Sequence, residues 1–329
     1  MTLIACLSPY SADQVRALAG TSDIDVRLAP APPDPEAVRA AVPDADIIIS
    51  DQRHKHRLDR ETLASLKHCR LIQQPAVGYD AIDHVAAAEF GIPLANAGGY
   101  NSDTVADWVV MGILNLLRFG AWHDRNLRNG SWRLATAQPR ELGALTVGII
   151  GMGNIGRAIT RRLVAFGSPV IYADVVRRAD VPGAREAGFH EVLERSDIVS
   201  VHVPLSEATR GLIGDDEFKR MRTDAILVNA SRGPVVDEPA LIRALDAGAI
   251  AAAALDVFEG EPLSEDSPLR QMDSVFMTPH IAGDTRESRA RMLGVVGDNI
   301  RRALAGRSLL NVVNGVPAGG GPTTEGTTT

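Results

Sequence analysis

The run Leu145-Thr-Val-Gly-Ile-Ile-Gly-Met-Gly-Asn-Ile-Gly-Arg constrains the fold more tightly than any other part of the chain. An apolar strand passes directly into Gly151-x-Gly153-x-x-Gly156 and then into a helical pattern from Ile155 to Phe166. In a strand–turn–helix setting Gly151 permits the tight turn, Gly153 lets a pyrophosphate approach the backbone, and Gly156 allows close helix–strand packing. The helix N-terminus adds amide donors and positive potential for an anion. The next apolar run, 170–173, ends on Asp174, 18 residues after Gly156. A carboxylate at that spacing accepts the ribose hydroxyls of a dinucleotide. The pattern therefore predicts NAD in preference to NADP, because a carboxylate repels a 2′-phosphate. Arg177 and Arg178 just beyond are read as solvated loop charges.

Around this motif, short apolar runs alternate with helical patterns, the signature of βα units and parallel sheets. One set covers 3–7, 26–29, 47–50, 71–74 and 93–95; a second covers 145–150, 170–173, 198–203, 225–229, 251–257 and 275–278. Asp34 and Pro35 make a cap and first helical position. The stretch 101–117 is apolar around most of its circumference (Val105, Val109, Val110, Met111, Ile113, Leu114, Leu116, Leu117), which predicts a helix buried between layers or subunits. Arg286–Leu304 reads as one long helix. The expected architecture is α/β, with two Rossmann-like, doubly wound parallel-sheet domains. An NAD domain (101–284) is inserted into a discontinuous substrate domain (1–100 and 285–316), leaving a cleft between two hinges. The Gly/Thr-rich tail, 317–329, is expected to be disordered.

Composition removes several function classes. With 329 residues, 45% hydrophobic and 23% charged, the chain is neither a disordered polymer nor a bundle of membrane spans. A net charge of −7 leaves no global basic field for nucleic acid or anionic lipid. Two cysteines, Cys6 and Cys69, suggest neither a disulfide scaffold nor a zinc cluster, and a reducing cytoplasm is the expected location. The N-terminus lacks the basic and long apolar regions of a leader.

Three stretches bring ionisable residues to strand ends, where open α/β sheets bind ligands. Val228-Asn-Ala-Ser-Arg places Arg232 to clamp a carboxylate. Ala254-Leu-Asp-Val-Phe-Glu-Gly-Glu supplies Asp256 and Glu261, and Met277-Thr-Pro-His supplies His280. Together an anion clamp, a carboxylate and a titratable imidazole share the sheet edge that holds the dinucleotide.

These residues, with LIQQPAVGYDAID from Leu71, GIPLANAGGYNSDTVADWVV, GMGNIG, VHVPLSEATRGLIG, VNASRGPVVDE, ALDVFEGEP and TPHIAG, make the chain resemble the D-isomer-specific 2-hydroxyacid dehydrogenases. That group includes phosphoglycerate, glycerate, glyoxylate/hydroxypyruvate and formate dehydrogenases. The resemblance implies a catalytic set of Arg232, Glu261 and His280. Arg232 would hold the carboxylate and carbonyl oxygen of a small 2-oxo acid, His280 would donate a proton, and Glu261 would orient the imidazole and stabilise its charged form. It further implies that Val77 and Gly78 offer amides to the substrate carboxylate and that Asn154 and Ile155 offer theirs to the pyrophosphate. Val203 and Pro204 would pack on the nicotinamide, Ala230, Ser231 and Gly283 would line the cofactor, and Asp256 would accept the carboxamide.

Two departures bear on specificity: Asp107 where many relatives have glutamate, and Pro75-Ala76 where they carry Arg or Ser/Thr. Asn101 resembles the substrate asparagine of the formate branch. That branch has glutamine at the position of Glu261, so the acid argues for oxo-acid reduction. The alternatives are formate oxidation and an NAD-sensing interaction protein akin to the family's co-repressor relatives. The run Asp51-Gln-Arg-His-Lys-His-Arg57 is the one local basic cluster, either a solvated loop or a feature of the cleft mouth suited to a second anionic group. His54 and His56 lack further spaced ligands, so no metal is expected. The 101–117 helix and the segment 122–132 suggest a homodimer by analogy with the family.

Overall fold

Among the residues described by the computed structural model, 1–29, 34–132, 137–176, 178 and 181–317, twelve strands form two all-parallel sheets of five and seven strands. The chain divides into two compact units, residues 1–100 with the segment from Arg286 onward, and Asn101–Thr285. The expected disordered tail beyond Pro317, and Arg177, lie outside the described residues.

The first unit begins with β1 (Thr2–Cys6), α1 (Ala12–Ala19), β2 (Ile24–Leu28), α2 (Pro35–Ala41), β3 (Ile47–Ile49), α3 (Arg60–Ala64), β4 (Leu71–Gln73), α4 (His84–Glu89) and β5 (Leu94–Ala95). The sheet order is β2-β1-β3-β4-β5, so the winding reverses between β1 and β3. The central strands are continuous apolar runs because helices cover both faces of a parallel sheet; Ile47, Ile48 and Ile49 are all fully buried. The helices start where the sequence supplies acceptors for unpaired amides. Ser11 and Gln14 form a reciprocal capping box, and Asp34, Asp59 and Asp83 each accept an amide of the first turn.

The second unit comprises α5 (Ser102–Arg118), α6 (Gly120–Arg128), β6 (Val147–Ile150), α7 (Asn154–Ala165), β7 (Val170–Ala173), β8 (Ala184–Glu186), α8 (Phe189–Arg195), β9 (Ile198–Val201), α9 (Asp215–Arg220), β10 (Ile226–Asn229), α10 (Glu238–Asp246), β11 (Ala252–Leu255) and β12 (Val275–Met277). Its order is β12-β11-β10-β9-β6-β7-β8, the Rossmann arrangement with the reversal between β6 and β9. The seventh strand is a correction to the six read from sequence. Residues 184–186, Ala-Arg-Glu, are short and polar and sit half-exposed at the sheet edge, so they lack an apolar signature. The α5 helix also differs from its reading as apolar all round. Asp103, Asp107 and Met111 form an exposed stripe, while Val105, Val109 and Ile113 pack inside the unit's own core. Asp107 accepts from Arg162 Nε at 2.6 Å and Asp103 from Arg162 and Arg161, which ties α5 to α7.

The chain returns to the first unit through α11 (Arg286–Leu304), whose Met292, Val296 and Ile300 are buried with Ile4, Val15 and Leu71. Asn299 fixes this return: its Nδ2 donates to Gln73 Oε1 at 2.7 Å and to Leu310 O at 3.0 Å, and its Oδ1 accepts from Leu310 N at 2.8 Å. The apolar segment that follows lies against β5, where Val313 N donates to Leu94 O. Asn299→Ala would strand Gln73 Oε1 in a buried site; we expect a loss of about 1–3 kcal/mol, read as a lower urea midpoint.

Candidate active site

The glycine turn sits at the reversal point of the seven-stranded sheet, where ligands of open α/β sheets bind. Gly151 has φ +96°, and a Cβ there would stand 2.5 Å from His202 O, at the end of the neighbouring β9. A Cβ on Gly156 would stand 2.5 Å from Gly151 O, so this glycine lets α7 close onto the turn. At Gly153 a Cβ would meet nothing within 4 Å, which leaves open space in front of the α7 N-terminus. The first-turn amides, including those of Asn154 and Ile155, face that space with no intrahelical acceptors. The turn thus fits a pyrophosphate.

Asp174 closes the other end of the motif. Its carboxylate accepts from Met152 N at 2.8 Å, Val176 N at 2.8 Å and Arg178 Nε at 3.1 Å. Burial pushes its carboxyl up, but the two amides and the guanidinium outweigh that and hold it below the ordinary aspartate value. Arg178 is therefore not a solvated loop charge as its sequence position suggested: it is an ion-pair partner of Asp174. Both oxygens of the acid retain acceptor capacity for ribose hydroxyls. Val203 and Pro204 follow shortly after β9, Val203 half-buried and Pro204 exposed. Just before them, His202 Nε2 lies 2.6 Å from Ser200 Oγ, and burial pushes the imidazole down to about 3, so it is neutral. Sequence reasoning passed over this histidine, whose apolar neighbours gave no polar signal.

Along the same edge, Asn229 at the end of β10 shapes the turn that carries Ala230, Ser231 and Arg232. Its side chain accepts from Ser231 N at 3.0 Å and donates to Arg232 O at 3.0 Å. Gly233 then packs so closely that a Cβ would fall 1.8 Å from Phe258 O. No side chain fits there, and this contact joins the Arg232 turn to the loop bearing Glu261. The Arg232 charge acts on the Glu261 carboxyl.

Asp256, 1% exposed at the end of β11, organises the third turn. It accepts from the Thr278 hydroxyl, from Ile281 N at 2.9 Å and from Ala282 N at 2.7 Å. Burial pushes this carboxyl up from its ordinary value against those three donors and the His280 charge. Trp108 Nε1 in turn donates to Thr278 Oγ1 at 2.9 Å. Asp256 was singled out as a cofactor ligand; the structure gives it a prior task, holding the turn of His280. That residue has φ +54°, a left-handed conformation that a non-glycine residue keeps only where its surroundings impose it.

The result is a close pair. His280 Nδ1 lies 2.7 Å from Glu261 Oε2, while Glu261 Oε1 accepts from Phe258 N at 3.1 Å. Burial pushes the Glu261 carboxyl up; the bond to His280, its charge, the Phe258 amide and Arg232 more than offset this and hold it below the ordinary glutamate value. With Nδ1 engaged, Nε2 is the nitrogen left for a substrate. Asn101 and Gly283 also meet in this unit: a Cβ on Gly283 would stand 2.7 Å from Asn101 Nδ2. Asn101 Oδ1 is buried without a hydrogen-bond partner among the described residues. Val77 and Gly78 belong to the first unit, in the loop after β4. Among the described residues, neither of their N–H groups meets an acceptor, whereas Val77 O accepts from Asn96 Nδ2 at 2.7 Å. Among the described residues no group of three metal-ligating side chains forms, and no single helix is long and apolar enough to cross a membrane.

Residues 110–282 match the model of the D-isomer specific 2-hydroxyacid dehydrogenase, NAD binding domain. A glyoxylate reductase of Korarchaeum cryptofilum (strain OPF8) is 38% identical over 299 residues, 89% of this chain and 90% of its own length. The chain belongs to the D-isomer specific 2-hydroxyacid dehydrogenases. It is an oxidoreductase whose cofactor is NAD. The family's breadth shows in a D-3-phosphoglycerate dehydrogenase of Archaeoglobus fulgidus, 37% identical over 80% of this chain but only 50% of its own length. In structure, a glyoxylate reductase from Paecilomyes thermophila superposes with TM-score 0.86 at 30% identity, covering 95% of this chain and 98% of that one. For this dehydrogenase, Gly151→Ala should strain the turn and displace it from His202 O. Fluorescence titration with NADH is expected to show affinity lower by about tenfold or more.

Proposed function

We propose that the protein reduces a small 2-oxo acid to the D-2-hydroxy acid with NADH, reversibly, using Arg232, Glu261 and His280. The observation that carries this is the 2.7 Å pairing of His280 Nδ1 with an anionic Glu261 on the sheet edge that bears the glycine turn. When bound, NADH supplies two electrons and one hydrogen to C2 of the oxo acid. His280 gives the proton from Nε2 to the carbonyl oxygen as charge develops there, and Glu261 stabilises the imidazolium before transfer. Arg232 binds the carboxylate and polarises the carbonyl; its planar fork matches that geometry. Val77 and Gly78 donate backbone N–H groups to the same carboxylate. An anionic Glu261 favours a positive charge on its imidazole partner as the proton is handed on, and reduction consumes a proton that formate oxidation does not require. Glyoxylate, which gives two of the three relatives above their name, is the first substrate to test.

The buried thiols of Cys6 and Cys69, pushed up by burial to about 11 and about 12, are unreactive and suit a reducing cytoplasm. We also propose a homodimer formed through α5, α6 and the segment after them, where Met111, Leu127 and Trp132 are 45%, 58% and 89% exposed. A monomer mass in dilute solution would contradict it.

His280→Ala should lower kcat for glyoxylate by roughly 10²–10⁴-fold with NADH binding retained. Intact turnover would remove the histidine from the mechanism. Glu261→Gln removes the anionic partner 2.7 Å from His280 Nδ1 and should lower kcat for glyoxylate with NADH affinity retained.

A further inference from the structure

We infer that Trp108 is a positioning residue for the reduction: its indole N–H sets the direction of a hydrogen-bond relay, from Trp108 to Thr278 to Asp256, that holds the turn of His280. This rests on the proposed reading of His280 as the proton donor, and it adds a residue of α5 to the groups that place the imidazole.

Donor and acceptor chemistry fixes each step. Trp108 is 5% exposed, and its Nε1 lies 2.9 Å from Thr278 Oγ1. An indole N–H only donates, so the threonine oxygen accepts there. The hydroxyl has one hydrogen of its own, and among the described residues that hydrogen meets Asp256 Oδ1. Thr278 thus donates to Asp256, the one sense that an ionised carboxylate can use. Without the indole N–H, the hydroxyl is free to turn away, or to accept from a protonated Asp256. The difference is felt because burial raises this carboxyl above its ordinary value, against its donors and the His280 charge. Ile281 N donates to Oδ1 at 2.9 Å and Ala282 N to Oδ2 at 2.7 Å. Protonating either oxygen therefore weakens one of the two amide bonds that shape the turn, since bonds to an ionised acceptor are the stronger ones. The backbone of Asp256 holds the same turn, its O accepting from His280 N at 2.8 Å.

The relay has a rigid frame within the second unit. The α5 helix packs on β11 and β12, and the rings of Trp108 and Phe276 lie 6.1 Å apart at 32°. One turn beyond Trp108, a Cβ on Gly112 would stand 3.2 Å from Ala254 Cβ and 3.7 Å from the Phe276 ring. The missing side chain lets α5 lie close enough for the indole to reach Thr278. A ring chosen for packing alone needs no N–H; this one meets the hydroxyl that touches Asp256.

Two substitutions separate the hydrogen bond from the packing. Trp108→Phe keeps an aromatic ring and removes the donor. Trp108→His loses the six-membered ring and keeps the donor, because Nε2 of histidine stands two bonds from Cγ, as Nε1 does in tryptophan. With NADH, glyoxylate and the whole protein, kcat should fall roughly tenfold in Trp108→Phe. It should fall less in Trp108→His, even though that variant loses more packing and has the lower urea midpoint. KM for glyoxylate and affinity for NADH should move less than kcat. Thr278→Val should match Trp108→Phe, Thr278→Ser should retain most of the activity, and the double variant Trp108→Phe, Thr278→Val should be no slower than either single one. The threonine pair decides the matter if the tryptophan variants do not fold. Full kcat in Trp108→Phe, a kcat order that follows stability, or Thr278→Val as active as Thr278→Ser overturns this inference and leaves the proposed function standing. Failure of the unaltered protein to consume NADH with every 2-oxo acid overturns the proposed function and this inference with it.

Discussion

One buried carboxylate at the end of a strand sets the geometry on which the proposed chemistry depends. Asp256 is almost fully enclosed, and burial raises the cost of its charge; three donors from the 278–282 turn offset it. Those bonds hold His280 in a left-handed backbone conformation that few sequences would choose unaided. The imidazole then meets Glu261, which is itself fixed by the Phe258 amide. Gly233 completes the chain of constraint, because only a residue without a side chain lets the Arg232 turn close against Phe258. The three proposed catalytic residues are thus placed by backbone turns at the ends of β10, β11 and β12, supported by the buried polar groups Asn229 and Asp256.

Much of this is legible in the sequence. The glycine spacing, the apolar strand before it and the acid 18 residues beyond it specify a dinucleotide turn with little freedom. Arg232, Glu261 and His280 stand out because charged residues directly after apolar strands lie at the sheet edge. What the sequence hid were the supports. Asn229 reads as the last residue of a strand and Thr278 as one more β-branched residue; the first shows its role only once the turn folds back on it, the second depends on a partner 22 residues away, and the state of His202 depends on burial. The β8 strand was missed because an edge strand needs no apolar pattern. Arg178 was read as solvent-facing because nothing local reveals that it folds back on Asp174.

The two units solve a common problem in a common way. Each is a parallel sheet whose winding reverses, and each gathers loop polar groups at the reversal. In the second unit the reversal holds the glycine turn. In the first it holds the loop after β3, whose Asp51 is folded inward onto the loop's own amides. The chain is acidic overall, so its anion affinity is local and depends on loops held in place by hydrogen bonds rather than on a general field.

The central claim is that the His280–Glu261 pair protonates a 2-oxo acid as NADH reduces it. The most direct measurement is the absorbance loss of NADH with a panel of 2-oxo acids, followed by chiral analysis of the product from pyruvate or a larger oxo acid. The account predicts NADH consumption matched by one equivalent of the D-2-hydroxy acid. NADH that binds but is not consumed with any oxo acid, as an NAD-sensing protein would show, or a product of the L configuration, would contradict it.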